Sequence, residues 1–219
     1  MKFSSKTKHI LAAMLGFGLG GLIWGWQCWG IADDTSRVFV NPFSFIVGAM
    51  SLGIFGGIGL TIFSKDIKKN LKVIILGTLG WLVGFLVLGE YGFPWLIAIG
   101  SILQLIIIPL ALVSNVDFTF WLNLKHSLVV AGLWFGFFIL GFLMSVVYFL
   151  LLQKQIKIKT ILYCSFVFAL ASLISPIIGN LIGNYLFHSL FLTYSITFIL
   201  ISISFGLSLA KFLSLKNEP

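Results

Sequence analysis

The sequence predicts an all-α protein: a polytopic bundle of transmembrane helices that forms a single integral membrane domain over residues 1–219. Hydrophobic residues make up 59% of the chain and charged residues 9%, whereas a soluble domain has roughly 25% charged residues. Long apolar runs follow one another with short polar gaps, and the lysines lie in those gaps, where they would contact anionic headgroups. The net charge of +8 therefore does not indicate nucleic-acid binding.

The apolar runs are each about as long as the roughly 20 residues that a helix needs to cross a bilayer. This predicts about seven crossings, joined by loops short enough to make successive helices neighbours. The predicted segments are 9–31, 43–63, 71–89, 93–113, 127–152, 160–187 and 189–210.

The first segment follows several lysines and could be mistaken for a signal peptide. It is longer than the roughly 7 to 15 apolar residues of a typical signal sequence. Trp24, Trp26 and Trp29 near its end suit the aromatic belt of a membrane interface. We therefore interpret 9–31 as the first transmembrane helix.

The lysine groups predict the orientation. Lys2, Lys6 and Lys8 precede the first segment and a second group, 65–72, follows the second segment, so the positive-inside rule places the N-terminus in the cytoplasm. Seven crossings put the third group, 154–159, on the opposite side. A re-entrant segment 93–113 would instead give six crossings with every group inside. Seven full crossings are favoured, because the segment is long and apolar enough to span.

A weak internal repeat involves two lysine-rich turns. The stretch 64–69 (SKDIKK) resembles 153–158 (QKQIKI), and each joins an apolar segment to one with spaced glycines. The pattern indicates a repeat of helical hairpins at 43–89 and 132–183, inverted if three crossings separate the copies, as in many transporters. Chance similarity between lysine-rich turns is the alternative.

Small residues recur four apart in several segments, which places them on one face of a helix. Such faces let two helices approach closely in lipid. The predicted packing positions are Ala12, Gly16, Gly20, Ala49, Gly53, Gly57, Gly80, Gly84, Gly132, Gly136, Gly179 and Gly183.

Polar residues also form one stripe. Asn180, Asn184 and His188 are four apart and share a helix face, and Pro176 precedes them. One hypothesis is that they line a solute-binding cavity opposite Gln104, where Pro176 frees backbone carbonyls for the solute. Alternatively, the three side chains bond neighbouring helices or emerge at the membrane surface.

The sequence shows no catalytic constellation. Cys28 and Cys164 are isolated, and the three histidines have no metal-ligand spacing. We therefore expect no enzymatic activity, no metal and no cofactor.

Two functional classes follow from size, helix number and basic loops. The first is a small transporter, channel or substrate-capture subunit for a small solute. In size and helix number the chain resembles the membrane-embedded substrate-capture subunits of energy-coupling-factor vitamin transporters, a resemblance of architecture and not of motif. The second is a non-catalytic accessory or assembly subunit that docks through its glycine-rich faces onto other subunits or a second copy. The expected location is the inner or cytoplasmic membrane of a prokaryote, with the lipid bilayer as partner.

Overall fold

The computed structural model describes residues 4–31, 42–87, 118–153 and 157–213. In this part of the chain all regular elements are helices, which confirms the all-α class. They are α1 (Ser5–Ile31), α2 (Pro42–Thr61), α3 (Ile67–Val87), α4 (Phe118–Gln153), α5 (Ile158–Gly179), which continues as a π-helical extension (Asn180–Leu186), and α6 (Leu190–Leu213).

Five of these helices contain a stretch that is long and apolar enough to cross a membrane: Ser5–Trp29, Ile67–Leu86, Phe135–Gln153, Ile158–Leu186 and Leu190–Leu213. The described stretch Ile46–Thr61 of α2 is also apolar. These helices are compatible with a multi-pass membrane protein. Segment 93–113 lies outside the described residues, so seven crossings and the cytoplasmic N-terminus stay predictions, as does the repeat.

Polar residues mark where two of the helices begin. Ser4 accepts a hydrogen bond through its Oγ from the Thr7 backbone N–H (3.2 Å), and Asp66 accepts one through Oδ1 from the Lys69 backbone N–H (3.0 Å). Each side chain thereby satisfies an N–H group that has no partner within its own helix. The caps fix the starts of α1 and α3 beside the lysine-rich turns.

Successive helices pack against one another, and α6 returns to pack against α1, so the six helices form a closed ring. Neighbours run antiparallel. Along the contact between α2 and α3, Gly53 lies against Thr78 and Gly57 lies against Ile74. The same reversal brings the start of α3 to the end of α4, where Lys69 Nζ donates a hydrogen bond to a backbone carbonyl (3.4 Å).

Aromatic side chains fill the centre of the ring. Phe17, Trp81, Tyr148, Phe168 and Phe205 come from five helices and are completely buried. Phe17 packs edge-to-face on Tyr148 and Phe205, with ring centroids 5.9 and 5.6 Å apart. Trp81 Nε1 donates a hydrogen bond to the Tyr148 hydroxyl (3.2 Å), so the polar atoms of both rings satisfy each other.

The antiparallel order brings the starts of α1, α3 and α5 together with the ends of α2, α4 and α6. We call this the basic end of the bundle and the other the far end. Contacts between Tyr163 and Phe212, with ring centroids 5.4 Å apart, place the start of α5 beside the end of α6. The lysines described at the basic end are Lys6, Lys8, Lys65, Lys68, Lys69, Lys72, Lys157, Lys159 and Lys211.

This placement differs from what seven crossings imply. That arrangement would put Lys157, Lys159 and Lys211 on the side opposite Lys65 and Lys69, whereas the helix contacts put them at the same end. The physical reason is the pairing of α3 with α4 as antiparallel neighbours. The described helices thus have the lysine arrangement that the six-crossing alternative predicts, while the course of 93–113 itself lies outside them.

Candidate functional site

The predicted packing glycines of α1 and α2 lie at close contacts within the chain. A side-chain carbon at Gly16 would meet the Phe55 carbonyl oxygen of α2, and one at Gly20 would lie 2.9 Å from the Ser51 carbonyl oxygen. A side-chain carbon at Gly57 would lie 3.0 Å from the Cα atom of α3 residue Ile74. These faces are therefore occupied by the chain's own helices.

The other predicted packing positions have varied surroundings. Gly179 and Gly183 lie against Thr193 and Thr197 of α6, and a carbon added at Gly84 would lie 2.5 Å from Leu140 Cδ1. Ala49 is buried. Ala12 lies at another close contact, because a carbon added at Gly59 of α2 would meet the Ala12 carbonyl oxygen. A carbon at Gly80 would lie 3.3 Å from the Met144 side chain, Gly136 is half-buried, and the environment of Gly132 lies outside what the structure describes.

Sequence reasoning missed a second glycine face on α1. A carbon added at Gly21 would meet the Phe198 carbonyl of α6, and one at Gly25 would lie 2.9 Å from the Ser195 Cα atom. The available signal was the same four-residue spacing, repeated five positions later than the pair at Gly16 and Gly20. These glycines let α1 lie close to both α2 and α6.

The predicted polar stripe lies on an exposed surface. Asn180 and Asn184 are exposed side chains of the π-helical extension, and His188 follows with a left-handed backbone (φ 50°). The stretch Ile158–Leu186 has 29 residues, more than the roughly 20 that cross the hydrocarbon core. Asn180, Asn184 and His188 thus lie exposed near the far end of this stretch, and both the cavity hypothesis and the membrane-surface alternative stay predictions. Gln104 lies outside the described residues, so its pairing with the stripe stays a prediction.

A cavity of about 490 Å³ lies at the basic end, between the end regions of α1, α2, α3, α4 and α6. We call it the basal cavity. Its polar lining consists of Ser5, His9, Thr61, Ser64, Lys69 and Gln153. Aromatic rings of the central core lie beyond it in the direction of the far end.

Two side chains of the basal cavity tie helix ends together. Lys69 Nζ donates to the Leu152 carbonyl of α4 (3.4 Å), while Gln153 Nε2 donates to the carbonyls of Phe212 (3.0 Å) and Leu213 (3.4 Å) of α6. These carbonyls belong to the last turns of their helices, where no intrahelical N–H group can reach them. The two side chains therefore hold the mouth of the cavity in shape while they satisfy exposed backbone oxygens.

Lys69 supplies the positive charge of the described cavity lining, and the other polar lining side chains can donate hydrogen bonds. Lys69 is exposed and carries three N–H donors, of which the Leu152 carbonyl uses one. The half-buried His9 ring packs edge-on against Phe63, with ring centroids 5.0 Å apart, which holds it at the cavity wall. Ser5 is the first residue of α1, so the positive end of that helix also borders the cavity. The arrangement suits an anion.

Comparison of the chain with protein family models, curated proteins and solved structures finds no match. Within the described residues, no group of three or more His, Cys, Asp or Glu side chains is arranged to hold a metal ion.

Proposed function

We propose that this chain is a small transporter or substrate-capture subunit that takes its solute at the basal cavity. The observation that carries the proposal is a polar cavity of about 490 Å³ between the ends of five helices. Pockets for small molecules typically measure roughly 300–1,000 Å³. A cavity of this size, lined by side chains from different helices, can bind a small solute and respond to helix movement.

The lysines support a cytoplasmic location for the basal cavity. Positively charged residues are enriched in the cytoplasmic loops of membrane proteins. The described lysines at the starts of α1, α3 and α5 and at the end of α6 share one end of the bundle. The solute would then enter from the cytoplasm, or leave into it. In a prokaryote this membrane would be the inner or cytoplasmic membrane.

The central aromatic core supports a gating role for the helices around it. Tyr148 and Trp81 fill the bundle beyond the cavity, so passage to the far end requires the helices to separate there. Transporters achieve such alternating access by moving one group of helices against another. Contacts through Gly16 and Gly21 present smooth helix faces on both sides of α1, along which that movement can take place.

The alternative of an accessory subunit that docks through its glycine faces has less support. Gly16 and Gly53 already contact the chain's own helices. Substituting either glycine would therefore disturb folding before it could release a partner, and an accessory subunit would need a different docking surface.

Solute flux in proteoliposomes tests the proposal. The labelled solutes are inorganic phosphate, glycerol 3-phosphate, succinate and free lysine, and we expect at least one to enter faster than into protein-free vesicles. Ser64→Trp places a bulky ring in the cavity lining and should abolish that flux. Ile75→Trp, on the exposed outer surface of α3, is the matched control and should retain it. Flux that survives Ser64→Trp, or no flux of any tested solute, would contradict the proposal.

Cysteine labelling tests the sidedness. Lys68→Cys and Lys157→Cys, in a protein without Cys28 and Cys164, should both react with an impermeant thiol reagent from the cytoplasmic side. Asn184→Cys should react from the other side. Labelling of the two lysine positions from opposite sides would overturn the shared basic end.

A further inference from the structure

Basal-cavity donors come from different helices and surround one space. Lys69 belongs to α3, His9 and Ser5 belong to α1, and Ser64 lies in the turn after α2. The described lining of the cavity contains no Asp or Glu. Among the described lining residues a cationic ligand would find no carboxylate partner, whereas an anion would meet an ammonium group, an imidazole and hydroxyl groups from several directions.

The carboxyl ends of α4 and α6 would by themselves favour a cation in the cavity instead of an anion. The last turns of α4 and α6 present carbonyl oxygens, and the negative ends of helix dipoles favour cations. Lys69 and Gln153, however, already donate hydrogen bonds to three of these carbonyls, those of Leu152, Phe212 and Leu213. Because these three carbonyl oxygens already accept hydrogen bonds within the chain, we weigh the remaining donors of Lys69 and the positive end of α1 more heavily, and both favour an anion.

The shape of the donor set distinguishes between anions. A carboxylate is planar and has two oxygens, whereas a phosphate has a tetrahedral set of oxygens that can accept from several directions at once. The cavity also has an apolar part, formed by Leu60, Phe63 and Leu213, and Phe63 is half exposed. A phosphate joined to an organic group would use both parts of the cavity, which a bare ion would not.

We propose that the basal cavity binds a phosphate ester. Two sources share this chemistry: a phosphorylated small solute and the headgroup of an anionic phospholipid such as phosphatidylglycerol. Basic pockets between transmembrane helices are known to accept such headgroups. The inference rests on the proposed function in that it names the ligand class of the same cavity, and binding can be measured separately from flux.

Binding of glycerol 3-phosphate to the purified full-length protein tests the inference by calorimetry, with glycerol and acetate as reference compounds. Lys69→Gln keeps a donor for the Leu152 carbonyl but removes the charge, and it should weaken glycerol 3-phosphate binding by about tenfold or more. Lys68→Gln is the matched control, because Lys68 is exposed and does not line the cavity. It should change the affinity by less than about twofold. His9→Asn is a second cavity variant and should also weaken binding.

A lipid arm separates the two sources. If the ligand is a headgroup, phosphatidylglycerol nanodiscs should raise the unfolding temperature above that in phosphatidylcholine nanodiscs, and Lys69→Gln should remove the difference. Equal weakening by Lys68→Gln and Lys69→Gln, or acetate binding as well as glycerol 3-phosphate, would overturn the inference. Absence of both glycerol 3-phosphate binding and phosphatidylglycerol stabilisation would also overturn it.

The two proposals fail in different ways. Binding that depends on Lys69, without flux of any solute, would contradict transport but support the ligand class. Flux of succinate that Lys69→Gln leaves unchanged would support transport and contradict the phosphate ester.

Discussion

Replacing Gly16 with alanine tests the contact between α1 and α2. The added methyl group would meet the Phe55 carbonyl oxygen and lie 2.9 Å from the Gly59 Cα atom. Both atoms belong to the backbone of α2, so the whole helix must move to make room. Overpacking of this kind costs about 1–3 kcal/mol, while alanine gains about 1 kcal/mol of helix propensity over glycine. We therefore expect a net loss of up to about 2 kcal/mol in the free energy of unfolding.

Gly80→Ala is the matched control. Here the nearest atoms to an added methyl group are the Cε and Sδ atoms of Met144, both at 3.3 Å. A methionine side chain is flexible and can move aside. The same gain in helix propensity then remains, and Gly80→Ala should be as stable as the natural protein or more stable by up to about 1 kcal/mol.

Reversible unfolding in detergent micelles with increasing amounts of sodium dodecyl sulfate measures the difference. The fluorescence of buried Trp24 and Trp81 reports loss of tertiary packing. Gly53→Ala, whose methyl group would meet the Thr78 backbone, should behave like Gly16→Ala. Equal stability of Gly16→Ala and Gly80→Ala would refute the reasoning, because it would mean that backbone proximity between helices does not decide the cost.

Two further predictions concern hydrogen bonds. Tyr148→Phe removes the acceptor of the Trp81 indole N–H and leaves that group buried without its partner. The same unfolding assay should therefore show a loss of about 1 kcal/mol in the free energy of unfolding. An unchanged free energy would show that this hydrogen bond makes no net contribution to stability. Gln153→Leu removes the donor to the Phe212 and Leu213 carbonyls. Amide hydrogen exchange should then become faster in the last turn of α6 and not in its first turn. An equal change along the whole of α6 would show that Gln153 does not hold the end of that helix.

The described helices could be predicted from the sequence because each contains an apolar run about long enough to cross a bilayer. Their ends were harder to predict. The predicted segment 71–89 corresponds to Ile67–Val87, whose start is set by the Asp66 cap, and 127–152 corresponds to the longer Phe118–Gln153. Hydropathy locates the part of a helix that contacts lipid, whereas backbone hydrogen bonds continue a helix into polar sequence.

The basal cavity could not be predicted from periodicity. Its polar residues lie at helix ends that are far apart in the sequence, and each of them alone resembles an ordinary loop residue. Ser5, Lys69 and Gln153 come together only through the antiparallel ring. Periodicity instead drew attention to Asn180 and Asn184, because a regular spacing identifies a face of one helix but not what that face contacts.

Helix α1 shows what a sequence can specify when the solvent is lipid. At about 100° per residue, Gly16 and Gly20 point within about 40° of each other, and Gly21 and Gly25 form a second pair about 140° further round. Phe17 and Trp24 point between the two pairs, so the large rings enter the core while backbone meets backbone on both sides. Nearly every residue of this helix is apolar, so polarity cannot distinguish its faces. In such a helix the size of the side chains, not their hydropathy, specifies which neighbours it contacts and allows α1 to close the ring.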